Sequence, residues 1–242
     1  MPQARPHVTL SMVVRNEADR YLIEALTRHR AYIDAAVIID DASTDHTPDL
    51  CVELLHPLPV KLVRNPVPLF QNEILLRKLQ WQETIATSPD WILNLDADEW
   101  FEDRFALDLH TLMDQNHTDL YSFRLYDFWN RTAYREDQLW HAHVIYRPLL
   151  LRYQSEFNYR WKETAQHCGR YPDNIFGLPN GLSDLRVKHM GWSDPLHRIS
   201  KFQRYMKLDP EGQFGSLAHY YSILDDQPRL MEWVEDEVRI LP

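Results

Sequence analysis

A chain of 242 residues with 44% apolar and 26% charged content is of ordinary globular composition and long enough to bury one sizeable core. Its 26 basic and 36 acidic residues leave a net charge of −10, which argues against a general nucleic-acid binder or a basic membrane-surface protein. Cys51 and Cys168 are too few for a disulfide scaffold or a cysteine-based zinc site. No stretch approaches the roughly 20 apolar residues of a transmembrane helix, and the start, MPQARPHVTL, lacks the apolar core of a signal peptide. The expectation is a cytoplasmic protein, able to meet the inner face of a membrane through a partner or a lipid-linked substrate.

Val8–Val14 is apolar and β-branched and predicts a first strand, which runs into Arg15-Asn16-Glu17. Leu22, Ile23, Leu26 and Ile33 recur at helical spacing and predict a helix over residues 19–33. Residues 36–39 predict a second buried strand. It ends in the turn and cap formers of residues 40–45, before a helix over 46–55. Val60–Arg64 is a third strand, the two prolines of 65–69 make a loop, 72–86 is helical, and 91–95 is a fourth strand. This alternation predicts a mostly parallel sheet flanked by helices, and right-handed crossovers bring Arg15, Asp41 and Asp96 to one edge of it. The later chain is less periodic. It predicts a helix over 102–116, strands over 119–129, 144–153 and 186–190, and a helix over Pro195–Leu208. Residues 153–183, rich in aromatics, Gly and Pro, read as an irregular binding region.

The chemistry is concentrated at WILNLDADEWF, residues 91–101. An apolar run ends in three carboxylates within four residues, Asp96, Asp98 and Glu99. Open α/β sheets put ligand sites at the carboxyl ends of strands. Hard cations take oxygen ligands, so Asp96 and Asp98 suit a divalent metal shared with a phosphorylated ligand. An acidic turn entering a helix N-terminus accounts for the same residues. All six glycines lie at position 169 or later, so the early glycine-rich phosphate loop of a dinucleotide or P-loop fold is absent. A nucleotide diphosphate would then need a metal and cationic side chains. Asp41 suits either the imide of a base or a turn and helix cap; Arg15 and Arg77 are diphosphate contacts or solvated charges. His189, in VKHMGW, is either a structural histidine or a nitrogen ligand that leaves coordination positions open. Mn²⁺ tolerates such mixed ligands, whereas Mg²⁺ prefers oxygen.

VTLSMVVRNE, VIIDDASTD and WILNLDADE, in that order and spacing, resemble a family 2 glycosyltransferase of the GT-A fold, and KHMGW resembles the downstream histidine segment of such enzymes. The resemblance implies an α/β, GT-A-like (Rossmann-type), mostly parallel sheet with an irregular C-terminal acceptor region. It implies a single domain over 1–242, with a nucleotide-sugar half at 1–117 and an acceptor half at 118–242. It also implies Mn²⁺- or Mg²⁺-dependent, inverting transfer of a sugar from a nucleotide diphosphate donor, a UDP-sugar, to a glycan, lipid-linked or small-molecule acceptor. Carried over by position, Asp41 binds the base, Arg15 and Glu17 line the nucleotide pocket, and Asp96 approaches ribose or metal. Asp98 is the principal metal ligand and His189 completes the site. Arg77, Lys201 and Arg204 are nucleotide- or phosphate-side cations.

Inversion also needs a base for the acceptor hydroxyl. Glu163, in YRWKET, is the first choice because aromatics flank it; His167 and Asp184 are alternatives, and pairing of Glu163 with Lys162 or Arg160 is the bland one. Two other functions compete. A metal-dependent nucleotidyltransferase would want the missing glycine-rich loop. A non-enzymatic carbohydrate-binding protein would have no use for the nucleotide-side residues.

Overall fold

The computed structural model describes residues 5–213 and 215–235. Strands β1 (Val8–Val14) and β2 (Ala35–Asp40) are buried along almost their whole length. Parallel strands covered on both faces need such continuous apolar runs. β3 (Val60–Arg64), at the outer edge, is half-exposed. Helices α1 (Leu22–His29), α2 (Thr47–Leu55) and α3 (Glu73–Ile85) connect these strands to each other and to β4 (Trp91–Asn94). The four strands lie in the order β3-β2-β1-β4, all parallel. The chain therefore winds outward from β1 and then returns to its other side. Such a reversal opens a crevice at the carboxyl ends of the strands that flank it. Val14 is level with Asp40 and Ser11 with Asn94, so residues 15, 41 and 96 follow strands that end at one edge.

The sheet continues through β5 (Glu99–Phe101), β6 (Leu120–Asp127), β8 (Tyr146–Arg152) and β9 (Asn180–His189). Among the described residues it has eight strands in the order β3-β2-β1-β4-β8-β6-β9-β5. β8 is antiparallel to β4, and β6 is antiparallel to β8. These two reversals leave β6, and its parallel neighbour β9, pointing the same way as β4. His189 at the end of β9 thus arrives at the edge where β4 delivers Asp96. One hydrophobic cluster runs from Leu10, Met12 and Leu93 to Phe101, Phe105 and Phe123, so the early and late strands share a core.

The structure revises the expected elements in detail. The helix predicted over 19–33 is confined to Leu22–His29, and that over 102–116 to α4 (Phe105–Met113). β9 begins inside the stretch expected to be irregular, and the strand expected over 186–190 is mostly its last part. Exposed Asp184 and partly exposed Arg186 alternate with buried Ser183, Leu185 and Val187, a period-2 pattern masked by polar residues. β5 is too short to declare itself, as are β7 (Ala133–Arg135), α6 (Leu217–Ser222) and β10 (Leu230–Glu232); β7 and β10 pair with each other. α5 (Pro195–Leu208) is as predicted, with the Asp194 carboxylate accepting from the Leu196 and His197 amides as its N-cap.

The rest of the 153–183 stretch is irregular but fastened. Trp81 on α3 meets the rings of Tyr153, Tyr159, Trp161 and Tyr171 edge-on, at centroid distances of 4.7–6.4 Å. No helix among the described residues is long and apolar enough to cross a membrane.

Candidate active site

The loops after β1 and β2 are stitched together. Asn16 (φ 53°) and Ala42 (φ 61°) adopt left-handed backbone conformations, uncommon away from glycine and concentrated at functional loops. The Asn16 amide donates to Ser43 Oγ (3.0 Å), and the Thr44 amide donates to Asn16 Oδ1 (2.8 Å). Asp41 is 1% exposed. Its Oδ1 accepts from Asn65 Nδ2 (2.9 Å) and the Leu69 amide (2.7 Å), and its Oδ2 from the Phe70 amide (3.1 Å). It thus closes the 65–70 loop over the end of β2. With two bonds on Oδ1 and one on Oδ2, an unused lone pair remains only on Oδ2.

The acids after β4 meet partners from the second half of the chain. Glu99 stands opposite His189 in the β5–β9 ladder, and the Met190 amide donates to the Asp98 carbonyl (2.8 Å). Asp98 Oδ2 consequently lies 3.5 Å from His189 Nε2 and 4.0 Å from Lys201 Nζ. The other ring nitrogen, His189 Nδ1, is 2.6 Å from Asp127 Oδ1. A carboxylate behind a histidine fixes the ring and directs its outer nitrogen at whatever it ligates. Burial alone would raise the Asp98 pKa, but His189, then Lys201 and Arg170, hold it well below the usual range. Burial likewise opposes the His189 imidazolium, yet Asp98 and Asp127 push its pKa up to about 10. Lys201 is shifted down by burial, against the pull of Asp98.

These groups converge on a space that only glycine leaves open. A Cβ on Gly191 would lie 2.2 Å from Asp98 Oδ2, 2.5 Å from Lys201 Nζ and 2.9 Å from His189 Nε2. One carboxylate and one oriented imidazole fit a divalent cation of the Mn²⁺ or Mg²⁺ kind. The described residues contain no group of three or more His, Cys, Asp or Glu side chains placed to hold a metal, so such a cation would need ligands from elsewhere.

Asp96 is held from two sides. Arg170 Nη2 donates to its Oδ2 (2.7 Å), and Arg77 Nη2 lies 3.7 Å from its Oδ1. Arg77 is itself positioned by Gln80 Oε1 (3.0 Å) one turn along α3. Arg170 also forks onto Glu99, at 2.6 and 2.7 Å. Burial of Glu99 is thereby overcome and its pKa lowered. Arg170 and Asp127 are not among the residues expected from the sequence. The only signal for Arg170 was general: three adjacent acids need cations. Glu17 lies in the same electrostatic neighbourhood. Burial pushes its pKa up to about 7, with Arg20 opposing and Asp98 adding to the rise.

The remaining candidates are less convergent. Arg15 is exposed. Arg204 lies beside Tyr205 (5.5 Å), whereas Lys201, already placed beside Asp98, also sits over the Trp192 ring (4.2 Å). Glu163 is 66% exposed and accepts from Lys78 Nζ at 2.5 Å, rather than pairing with Lys162 or Arg160. His167 has a left-handed backbone (φ 57°), and its amide donates to Glu73 Oε2 (2.8 Å). Asp184 pairs with Arg104 (3.1 Å). It lies five residues before His189 on β9, roughly 16 Å along the strand.

Comparison with known proteins agrees with this architecture. The chain is 26% identical over 243 aligned positions to uncharacterized proteins of Mycobacterium tuberculosis and Mycobacterium bovis, covering 96% of this chain and 57% of each relative. It therefore spans little more than half the length of the curated relatives it matches. The crystal structure of S. aureus TarS superposes over 90% of this chain and 42% of TarS, with a TM-score of 0.56 at 13% identity. That of S. aureus TarS 1-349 in complex with UDP-GlcNAc gives a TM-score of 0.54 at 13% identity over 90% of this chain and 70% of that one, a likeness of fold. The family model described as Glycosyl transferase family 2 matches residues 9–171, the span from β1 through Arg170, and the chain belongs to that family.

Proposed function

We propose that this chain transfers a sugar from a nucleotide diphosphate donor, a UDP-sugar, to an acceptor hydroxyl, with a divalent cation and with inversion at the anomeric carbon. Residues 1–117 form the donor half of one domain and 118–242 the acceptor half. One observation carries the reading. Asp98 and His189, far apart in sequence, face each other at 3.5 Å at the sheet edge where β4 and β9 end, with Asp127 behind the imidazole. A carbohydrate-binding protein has no use for that arrangement, and a nucleotidyltransferase would want the glycine-rich loop this chain lacks. The complex of TarS with UDP-GlcNAc supports a UDP-sugar as the first donor to try.

Asp98 and His189 would hold Mn²⁺ or Mg²⁺, which when bound neutralises the diphosphate and stabilises it as leaving group. Lys201 and Arg77 add positive charge on the phosphate side, Asp96 accepts from ribose hydroxyls, and Arg15 and Glu17 line the pocket. Asp41 takes the imide of the base at its free lone pair. The acceptor hydroxyl attacks from the face opposite the phosphates. Its proton passes to a base on the acceptor side, and the bond from anomeric carbon to phosphate oxygen breaks with its electron pair leaving on UDP. Glu163 is the first choice of base, with His167 next.

The test is a panel of nucleotide-sugars with and without Mn²⁺, read by thermal shift and by release of nucleotide diphosphate. A Mn²⁺-dependent shift with UDP and turnover of at least one UDP-sugar are expected. Absence of both across the panel would sink the reading.

A further inference from the structure

Three carboxylates within four residues repel one another unless each finds a cation. Asp98 has His189 and Lys201. The other two share Arg170, and Asp96 has in addition the longer contact with Arg77 Nη2 at 3.7 Å. Arg170 Nη1 donates to Glu99 Oε2 (2.6 Å), and its Nη2 donates to both Glu99 Oε1 (2.7 Å) and Asp96 Oδ2 (2.7 Å). Glu99 is 2% exposed, and its Oε2 also accepts from the Asp96 amide (3.1 Å). The Arg170–Glu99 pair thus holds both the backbone and the side chain of Asp96. Arg170 is itself fixed. Asn94 Nδ2 donates to its carbonyl (3.1 Å), and the neighbouring Tyr171 hydroxyl is 2.9 Å from the carbonyls of Ile92 and Leu149. A planar guanidinium pinned in this way presents its fork in one orientation before any ligand arrives.

We propose that Arg170 is a positioning residue of the donor site: it ties Asp96 and Glu99 together through one fork, leaving Asp98 as the carboxylate for a divalent cation and aiming Asp96 at uncharged sugar hydroxyls. This rests on the glycosyltransferase reading above. The arginine comes from the irregular 153–178 stretch, so the same contacts tie that stretch to the acids of the donor half.

Removing the charge should move two affinities in opposite directions. In Arg170→Gln, Asp96 keeps only the longer Arg77 contact (3.7 Å) and is left underneutralised beside Asp98, so Mn²⁺ alone should bind several-fold tighter by calorimetry. UDP at saturating Mn²⁺ should bind about tenfold or more weakly, because Asp96 is no longer aimed and a cation has gone. A purely structural arginine would weaken both ligands along with the melting temperature. Arg170→Lys keeps a charge for buried Glu99 and serves if the glutamine variant does not fold. It should leave Mn²⁺ affinity within about twofold and still weaken UDP several-fold, since one ammonium cannot reproduce the three-bond fork. UDP affinity equal to wild type in either folded variant overturns the proposal, as does joint weakening of Mn²⁺ and UDP in Arg170→Gln. If the wild-type chain binds Mn²⁺ but no nucleotide diphosphate, the functional reading fails while the Mn²⁺ comparison still judges Arg170. If it binds neither, both fail.

Discussion

His189 Nδ1 lies 2.6 Å from Asp127 Oδ1, on the ring nitrogen turned away from Asp98. Asp127 ends β6 and His189 ends β9, and the two are partners in the parallel ladder between those strands. The pair fixes which nitrogen faces Asp98. Asp127→Asn should leave the fold intact, since the amide has nearly the same shape, but loosen the imidazole. Outer carboxylates of this kind typically contribute about 10- to 100-fold in metal affinity. Titration of Mn²⁺ into the variant checks this; unchanged affinity would show that the ring is held by other contacts.

In the absence of a cation, Asp98 and Asp127 hold the His189 pKa near 10, so the ring carries a proton at neutral pH. A metal binding at Nε2 must displace that proton. The sign follows: affinity rises with pH as long as pH is below about 10, by up to about tenfold per unit if one proton is released. Calorimetry of Mn²⁺ binding at pH 6.5 and 7.5, in buffers of different ionisation enthalpy, measures both the slope and the proton released. A slope of zero would remove His189 from the ligand set.

Gly191→Ala tests the space between the charged groups. Its Cβ would fall 2.2 Å from Asp98 Oδ2, closer than any real contact, so Asp98 or Lys201 must shift. The expected result is a folded protein, by circular dichroism, with Mn²⁺-dependent UDP binding largely lost. Wild-type binding would show that the cation lies elsewhere.

Glu163→Gln should depress sugar transfer by about 10²–10⁴ if Glu163 is the base, with donor affinity nearly unchanged. Its ion pair with Lys78 at 2.5 Å must open for it to reach an acceptor. Near-normal transfer in this variant, with His167→Ala inactive yet still binding UDP, would assign the role to His167. Asp184, paired with Arg104, would be the less natural substitute.

His29 gives a stability prediction independent of the site. It is the fully buried last residue of α1, with Nδ1 and the Tyr32 hydroxyl 2.5 Å apart. Burial lowers its pKa to about 3 from an ordinary 6.5. The folded state therefore keeps it neutral while the unfolded chain protonates it. Its contribution is complete above pH 6.5 and is lost progressively as pH falls toward 3. From pH 7 to 5 the loss should be about 2 kcal/mol. His29→Leu should show a smaller drop in urea midpoint over that interval; equal drops would place the acid sensitivity in other groups.

The sequence by itself determined the β–α alternation through β4, the parallel arrangement of its strands, and the chemistry of the DAD segment. Each follows from local information. Apolar runs such as Ala36–Ile39 specify buried strands wherever they lie, and three adjacent carboxylates announce a need for cations in any fold. The resemblance already names His189 beside Asp98; how it gets there, and that Arg170 answers the other two acids, only the tertiary structure decided. His189 reaches Asp98 because β8 and β6 insert two antiparallel reversals before β9, a strand order with no local signature. Arg170 reaches Asp96 because the 153–178 stretch is folded back by packing around Trp81 and by Tyr171, not by any period. Asp41 was legible as an acid at a strand end. That its carboxylate closes the 65–70 loop depended on the path of that loop, which short-range sequence leaves open because its amides can bond any acceptor brought within reach.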